Sequence, residues 1–315
     1  MSTPVASLFI TGPTASGKTA VGVALAKGIG AEVIAMDSMT LYRGMDIGTA
    51  KATVRERRGI PHHLIDMLDP WEAASVAEYR GWAMEAAAAI ERRGRRVLFV
   101  GGTALYLKAL LRGLFDGPAA DLELRKALEE EAERLGNEAL HARLAQSDPA
   151  TAARLHPADR RRVIRALEVF ATTGRPLSEF QKEHAVPAEG VMVLALERPR
   201  DEICSRIDRR VVQMFDEGLL DEVQRLRSGP KPLHPVPAQG VGYREAMAHL
   251  DGLMTRDEAI ARTQARTRQF AKRQGTWFRG LKECRPFPVP SDEPAETTAE
   301  RLAELIFLDR EGSGI

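Results

Sequence analysis

Short apolar runs alternate with helical stretches along much of the chain, and this pattern predicts its secondary structure. The alanine-rich stretches at 19–28 and 75–93 have the length of helices, whereas each apolar run covers only a few residues. Short apolar runs bounded by turn residues are typical of buried strands. Strands are predicted at 7–12, 31–38, 62–67, 95–102 and 191–197. Because strands that alternate with helices form crossover units, we expect an α/β fold built on a parallel sheet.

The pattern changes between residues 116 and 186, where no strand-like run occurs. Asp121 is suited to cap a helix in which leucines recur at helical spacing and which Gly136 would end. Further helical segments follow, and the last of them would end at Gly174. We therefore predict that this part of the chain is all helical.

The domain organisation follows from this change of pattern. We predict an α/β core formed by 1–115 and 187–315, with a helical domain inserted over 116–186. A chain of 315 residues is long enough for one large α/β domain and a smaller one. The core is expected to end in long helices over 200–282. The last part of the tail, which begins with several prolines, could form one short helix.

The segment GPTASGKT at 12–19 fits the G-x-x-x-x-G-K-[ST] pattern of a phosphate-binding loop. Glycines let backbone amides surround an anion, and the following helix N-terminus adds unpaired N–H groups. Lys18 would bring a full charge to the terminal phosphate, and Thr19 would offer its hydroxyl to Mg²⁺. The predicted phosphate-binding residues are Gly12, Pro13, Thr14, Ala15, Ser16, Gly17, Lys18 and Thr19. The loop alone does not identify the molecule that carries the phosphate.

Two candidate catalytic side chains follow predicted strands. Asp37 ends an apolar run, and Thr103 follows Gly101 and Gly102 after another. Ligands bind beyond the carboxyl ends of the strands in parallel sheets. A carboxylate there can bind a metal-bound water or accept a proton, and the Thr103 hydroxyl could point into the cleft. The structural alternatives are an ordinary strand-end cap for Asp37 and an ordinary strand-to-helix turn for Thr103.

Basic residues are concentrated in two segments. RRRVIR at 160–165 places Arg161 and Arg165 one helical turn apart. The segment 262–282 carries several lysines and arginines without an acid, and Phe270 and Trp277 would share one of its faces with Leu281. A basic face with aromatic side chains suits a polyanion larger than a nucleotide. Solvated helix faces are the alternative for both segments.

A third pair of basic residues, Arg206 and Arg210, is predicted to lie one turn apart on a helix. The two guanidinium groups could clamp a phosphate. They could equally pair with nearby acids such as Asp201 or Asp208. We include Arg206 among the phosphate-binding candidates.

Composition narrows the class of protein further. The formal net charge of +1 does not indicate an overall basic, nucleic-acid-binding protein, so the argument for nucleic-acid binding depends on local basic clusters. The two cysteines, Cys204 and Cys284, lie far apart and in no metal-binding spacing, which favours a reducing, cytoplasmic location. Neither a signal peptide nor an apolar stretch long enough to span a membrane is recognisable, so we expect no membrane partner.

Together these segments resemble one enzyme family, the tRNA dimethylallyltransferases, also called isopentenyl-diphosphate:tRNA transferases. The likeness extends from about Leu8 to Lys282. One departure is Thr40, where many members carry a glutamine that contacts a base. The matching segments are GPTASGKT (12–19), DSMTLYRGMDIGTAK (37–51), PHHLIDMLDP (61–70), VGGTALYLKALLRGL (100–114), RALEVFATTGRPLSE (165–179), GVGYREA (240–246) and RTRQFAKRQGTWFR (266–279).

This resemblance implies a P-loop NTPase-like core and a specific reaction. The phosphate loop would hold the diphosphate of dimethylallyl diphosphate together with Mg²⁺. The acceptor would be the exocyclic amine, N6, of the adenosine on the 3′ side of the anticodon in tRNA. Asp37 would be the catalytic base, and Thr103 would lie beside the acceptor. We expect a monomer that binds the anticodon stem-loop.

The resemblance also implies a set of tRNA contacts from several parts of the chain. They are Asp37, Ser38, Met39, Thr40, Thr103, Arg125, Arg161, Arg162, Val163, Ile164, Arg165, Gln239, Gly240, Val241, Gly242, Tyr243 and Arg244.

Two other functions explain part of the sequence. A phosphate-loop kinase for a small metabolite would use the loop and Asp37, but it would leave the basic segments without a role. An RNA-binding, NTPase-like protein would use the basic segments, but it would not require Asp37 and Thr103 together at the ligand end of the sheet.

Overall fold

The computed structural model of the chain describes residues 7–114, 117–118, 121–183 and 191–312. It divides into two compact units. One unit comprises Met1–Leu111 and Ala188–Ile315, and the other comprises Arg112–Pro187. The predicted boundaries at 115/116 and 186/187 fall outside or next to the described residues.

The larger unit is built on a parallel sheet of six strands in the order β3-β2-β4-β1-β5-β6. The strands are β1 Leu8–Thr11, β2 Ala31–Ala35, β3 His62–His63, β4 Arg96–Val100, β5 Met192–Glu197 and β6 Cys284–Pro288. The α/β prediction is therefore confirmed. The strands predicted at 31–38 and 62–67 were too long, since β2 ends at Ala35 and β3 at His63. After β3 the chain leaves the extended conformation, because Leu64 and Asp66 have positive φ values of 60° and 57°.

The helices, in chain order, are α1 Lys18–Ile29, α2 Val76–Arg92, α3 Ala104–Arg112, α4 Leu122–Leu135, α5 Asn137–Ser147, α6 Pro149–Ala152, α7 Arg160–Thr173, α8 Leu177–Glu183, α9 Arg200–Asp216, α10 Leu219–Arg227, α11 Pro235–Ala238, α12 Tyr243–Leu250, α13 Arg256–Gly280 and α14 Ala295–Gly312. Local chemistry sets several of their ends. A capping box of Ser75 and Glu78 starts α2, and Gly30 ends α1 in the left-handed region at φ 68°.

Alternate residues of the strands pack on opposite faces of the sheet, as strand geometry requires. Phe9 and Phe99 stack on one face with ring centroids 4.6 Å apart, within an apolar cluster that includes residues of α2, α3, α9 and α13. Leu8 and Ile10 lie on the other face, in a cluster with residues of α1 and α14. The sheet is thus covered by helices on both faces, and its carboxyl edge is left to bind ligands.

The end of the chain differs from the prediction. Cys284–Pro288 forms an edge strand beside β5, and α14 runs for 18 residues rather than forming one short helix. Pro286 and Pro288 cannot donate a ladder hydrogen bond, but an edge strand tolerates this because one side of its backbone has no partner strand. The prolines were interpreted as a tail, and that interpretation was wrong.

The smaller unit is helical throughout its described residues and has its own apolar core. That core includes Leu128, Leu144, Val163 and Leu167. Asp121 caps α4 by accepting a hydrogen bond from the Leu124 N–H at 3.0 Å, as predicted. Gly136 and Gly174 end α4 and α7, which confirms the helix ends expected there.

Candidate active site at the carboxyl edge of the sheet

The predicted phosphate loop connects β1 to the first turn of α1. Gly17 and Ala15 adopt the left-handed region, with φ values of 91° and 66°. A Cβ on Gly12 would lie 2.8 Å from the Leu196 carbonyl oxygen, so glycine is required there. The N–H groups of the first helical turn have no partner within the helix. This geometry suits an anion at the N-terminus of α1.

Three arginines hold the loop from outside. Arg198 donates from Nε to the Ser16 carbonyl oxygen at 3.0 Å, and Arg206 donates from Nε to the Ala15 carbonyl oxygen at 2.8 Å. Arg210 donates to the Thr14 hydroxyl oxygen at 2.6 Å. These bonds fix the conformation of the loop. Sequence reasoning missed Arg198, although its place directly after β5 was a signal.

Arg206 and Arg210 therefore lie against the loop rather than on the acids that the sequence offered. Asp208 instead accepts from Arg268. The carboxylate nearest Arg206 is that of Glu202, at 3.8 Å. Both arginines line a cleft of about 940 Å³ beside the loop, together with Lys18 and Thr19. The cleft thus carries several positive charges next to unpaired amides, which favours a phosphorylated ligand.

A smaller pocket of about 100 Å³ shares Lys18, Thr19 and Arg210 with the cleft. Asp37 lines this pocket as well. Its other walls are mostly apolar and include Val23, Val33, Ala35, Ile65 and Val100. A pocket lined by both charged groups and apolar side chains suits a ligand with an anionic head and a short hydrocarbon chain.

Burial lowers the pKa of Lys18 from its ordinary value to about 8. The Asp37 carboxylate opposes this shift, and the Arg210 guanidinium adds to it. A bound anion would favour the charged ammonium. The charge of Lys18 would therefore depend on whether an anion is bound beside it.

Asp37 and Thr103, the two predicted catalytic side chains, are brought together by hydrogen bonds. The Thr103 hydroxyl oxygen accepts from the Ser38 N–H at 3.1 Å, and one Asp37 oxygen accepts from the Met39 N–H at 2.9 Å. A Cβ on Gly101 would lie 2.0 Å from the Met36 carbonyl oxygen, so the chain can pass there only as glycine. The Thr103 hydroxyl and the Asp37 carboxylate are thus each bonded to the same short turn, residues 38–39, at the edge of the sheet.

A residue without a predicted role, Gln274 of α13, joins two loops of the site. Its Oε1 accepts from the Thr14 N–H at 2.8 Å, and its Nε2 donates to the Gly102 carbonyl oxygen at 2.7 Å. The buried face of α13 carries Gln274 with Thr263, Thr267, Ala271 and Phe278. A single glutamine between basic residues is a weak signal in the sequence, so nothing there indicated that Gln274 is buried and bonds two loops.

The exposed face of α13 carries aromatic side chains. Phe270 and Trp277 are 39% and 40% exposed, and the Arg273 guanidinium lies 6.0 Å from the Phe270 ring centroid. Leu281, which was expected on the same face, is buried. The two exposed rings among basic residues could stack on bases or pack against a backbone.

The GVGYREA segment is anchored through a buried carboxylate. Glu222 accepts from the Tyr243 hydroxyl at 2.6 Å and from three successive backbone N–H groups of residues 46–48 at 2.8–3.2 Å. Tyr243 is 1% exposed, whereas Gln239 and Arg244 are exposed. Of these three predicted tRNA contacts, only Gln239 and Arg244 therefore have exposed side chains.

The predicted contact residues of α7 divide into two groups. Arg161 and Arg162 are exposed, whereas Val163 and Ile164 lie in the core of the helical unit. Arg165 donates to the buried Glu168 carboxylate at 2.6 Å. On α4, Arg125 donates two bonds to the same carboxylate, both at 2.9 Å. Arg125 and Arg165 therefore hold the helical unit together, whatever else they contact.

In the parts of the chain that the structure describes, no three side chains of His, Cys, Asp or Glu are grouped as metal ligands. No helix there combines the length and the apolar character that crossing a bilayer requires.

Comparison with known proteins gives consistent matches over both units. Residues 40–281 match the family described as "IPP transferase", and residues 6–68 match "Isopentenyl transferase". The tRNA dimethylallyltransferase of Geobacter metallireducens is 48% identical over 274 residues, which are 86% of this chain and 89% of that protein. The enzyme of the same name from Pelotomaculum thermopropionicum is 45% identical over 94% of this chain and 95% of its own length.

Solved structures give the same result. The full-length tRNA isopentenylpyrophosphate transferase of Bacillus halodurans is 39% identical, with a TM-score of 0.72 and 99% of each chain covered. A eukaryotic dimethylallyltransferase acting on tRNA is 29% identical, with a TM-score of 0.81, and the match covers 98% of this chain and 80% of that one. The α/β core accordingly has the P-loop NTPase-like fold of these transferases.

Proposed function

The chain belongs to the tRNA dimethylallyltransferase family, and we propose that it transfers a dimethylallyl group from dimethylallyl diphosphate to N6 of the adenosine that follows the anticodon in tRNA. The observation that carries this proposal is the pocket that Lys18, Thr19 and Asp37 line together. It provides anion-binding groups, a candidate base and apolar walls in one place. The bound phosphate in this account belongs to the prenyl donor, not to ATP.

The diphosphate occupies the N-terminus of α1. Lys18, the N–H groups at the N-terminus of α1 and the guanidinium groups of Arg206 and Arg210 neutralise its charge. The dimethylallyl chain lies against the apolar walls of the smaller pocket. This placement directs the reacting carbon towards Asp37.

The site also fits a magnesium ion. Thr19 and Asp37 supply hydroxyl and carboxylate oxygens to the same pocket, and diphosphate oxygens and waters are the other ligands that Mg²⁺ prefers. We propose that Thr19 holds the ion. When bound, it stabilises the negative charge that develops on the leaving diphosphate.

The transfer is a single displacement. The N6–carbon bond forms as the bond between that carbon and the diphosphate oxygen breaks, and the N6 proton moves to the Asp37 carboxylate. The adenine amine is a weak nucleophile, because its lone pair is delocalised into the ring, so removal of this proton assists attack. Thr103 orients the acceptor. The leaving diphosphate retains the electron pair of the broken bond.

The acceptor adenosine must leave its stack in the anticodon loop to reach this pocket, at a cost of about a few kcal/mol. The exposed basic residues Arg161, Arg162 and Arg244 would bind the tRNA backbone, and the exposed aromatic face of α13 would bind the loop. The monomeric state and the cytoplasmic location stay predictions.

The proposed function is tested with an unmodified tRNA transcript. The transcript is incubated with the protein, Mg²⁺ and dimethylallyl diphosphate, digested to nucleosides and analysed by mass spectrometry. We expect one adenosine per tRNA to gain a C5H8 unit. A transcript in which that adenosine is replaced by guanosine is the control and should stay unmodified. A complete absence of the gain with the first transcript would refute the proposal.

A further inference from the structure

A buried amide side chain spans the space between the two loops that the proposed reaction uses. Gln274 is 5% exposed. Its amide bonds the Thr14 N–H on one side and the Gly102 carbonyl oxygen on the other, at 2.8 and 2.7 Å. Thr14 belongs to the phosphate loop, and Gly102 directly precedes Thr103. A single side chain therefore ties the donor-binding loop to the acceptor-side loop.

The hydrogen bonds continue beyond Gln274 in both directions. On the donor side, the Thr14 hydroxyl accepts from Arg210, which lines the cleft and the pocket. On the acceptor side, the Thr103 hydroxyl accepts from the Ser38 N–H, next to Asp37. The network thus runs from the phosphate-binding groups to the candidate base by way of one amide.

The sequence around Gln274 is adapted to this contact. An ideal Cβ on Gly102 would lie 2.5 Å from the Gln274 nitrogen, so only glycine leaves room for the bond. A glutamine amide can donate and accept at the same time. Methionine has a similar size but would leave a buried N–H and a buried carbonyl unpaired, and asparagine is one methylene too short to span both loops.

We propose that Gln274 is a positioning residue that sets the distance between the diphosphate and the acceptor amine. The inference rests on the proposed function. The neighbouring strands are already linked by a bond from the Thr11 hydroxyl to the Gly101 carbonyl oxygen at 2.9 Å. Gln274 acts farther along both loops, where the substrates bind. It touches neither reacting atom.

This role predicts a particular kinetic effect. A displacement requires the attacking and attacked atoms to approach to about 3–3.5 Å in line, and a misplacement of about 1 Å can cost about 100-fold in rate. Loss of the bridge should therefore slow the chemical step. It should leave the binding of each substrate alone nearly unchanged, because the cationic groups that bind the phosphates remain.

The test compares Gln274→Met and Gln274→Asn with a matched control, Gln264→Met. Gln264 lies on the same helix and donates to the Asp208 carbonyl oxygen at 3.1 Å. It takes part in neither of the two bonds by which Gln274 joins the loops. Single-turnover transfer is measured with saturating tRNA and dimethylallyl diphosphate. Dissociation constants are measured separately for tRNA and inorganic diphosphate. Hydrogen exchange is followed in peptides that cover 12–19 and 100–106 of the unliganded proteins.

We expect both Gln274 variants to transfer about 10–100-fold more slowly, with dissociation constants within about threefold of wild type. Exchange should accelerate in both peptides, and the control should match wild type throughout. Transfer within about twofold of wild type, or unchanged exchange in both peptides, would overturn the inference. If wild type itself transferred nothing, the proposed function would fail, and the exchange data would still decide whether Gln274 holds the two loops together.

Discussion

Asp37 owes its position to the strand that precedes it and to the hydrogen bond that its carboxylate accepts from the Met39 N–H. Replacement of Asp37 by Asn keeps the size of the side chain and an oxygen that can accept from the Met39 N–H. The amide cannot take a proton at neutral pH. We expect single-turnover transfer to fall by roughly 10²–10⁴ while tRNA affinity changes much less. A rate within about tenfold of wild type would show that another group is the base.

The second prediction at the residue scale concerns Lys18 and the pH dependence of diphosphate binding. Its pKa of about 8 in the free protein means that it loses its proton as the pH rises above 8. A bound diphosphate requires the charged form, so binding at higher pH must include proton uptake. We expect the dissociation constant for inorganic diphosphate to rise by up to about tenfold per pH unit above pH 8.

The control for this pH dependence is Lys18→Arg, since arginine stays protonated throughout this range. The titration of diphosphate itself affects both proteins equally. The difference between the two pH profiles, measured by calorimetry, therefore belongs to Lys18. Identical profiles for wild type and variant would contradict the assignment of the lysine as an anion ligand.

At the scale of single elements, α7 carries arginines in two different environments, one exposed and one bonded to a buried carboxylate. Arg161 is exposed, and we expect it to contact a tRNA phosphate. Arg161→Ala should lower the slope of log affinity against log salt by about 0.7–0.9. Filter binding over a salt series measures the slope. The control is Arg134→Ala, which removes another exposed arginine of the helical unit. If the two variants have the same slope, Arg161 does not contact a tRNA phosphate.

Arg165 should behave differently, because it supports a buried carboxylate. Glu168 is fully buried and depends on Arg125 and Arg165 for compensation of its charge. Arg165→Met should destabilise the helical unit by about 1–3 kcal/mol. The loss of stability is measured by denaturant unfolding, with cleavage by a protease between α4 and α7 as the readout. An unchanged stability would mean that Arg125 alone suffices.

The same elements show which features could be predicted from sequence. The phosphate loop, Asp37 and Thr103 were predictable because each follows an apolar run, and the register of a parallel sheet then brings strand ends together. Gln274 was not predictable, because its partners are backbone atoms 172 and 260 residues away. The strand β6 was not predictable either, because its prolines argue against a strand and are tolerated there by its edge position.

For the molecule as a whole, the end of the chain is part of the core. The strand β6 extends the sheet, and α14 packs on α1 through Leu302 and Ile306 within the apolar cluster of that face. Arg198 donates to the Pro290 carbonyl oxygen at 2.9 Å as well as to the phosphate loop. The segment after residue 285, to which the sequence assigned no role, therefore supports α1 and the phosphate loop that precedes it.

The central claim for the whole molecule is that the phosphate loop serves a prenyl donor and not a nucleotide. The most direct measurement offers the protein unmodified tRNA, Mg²⁺, ATP and dimethylallyl diphosphate together, and it quantifies prenylated adenosine, diphosphate and ADP over time. We predict one diphosphate released for each dimethylallyl group on the tRNA, without ADP. ADP production that tRNA stimulates, with no prenyl group transferred, would contradict the account.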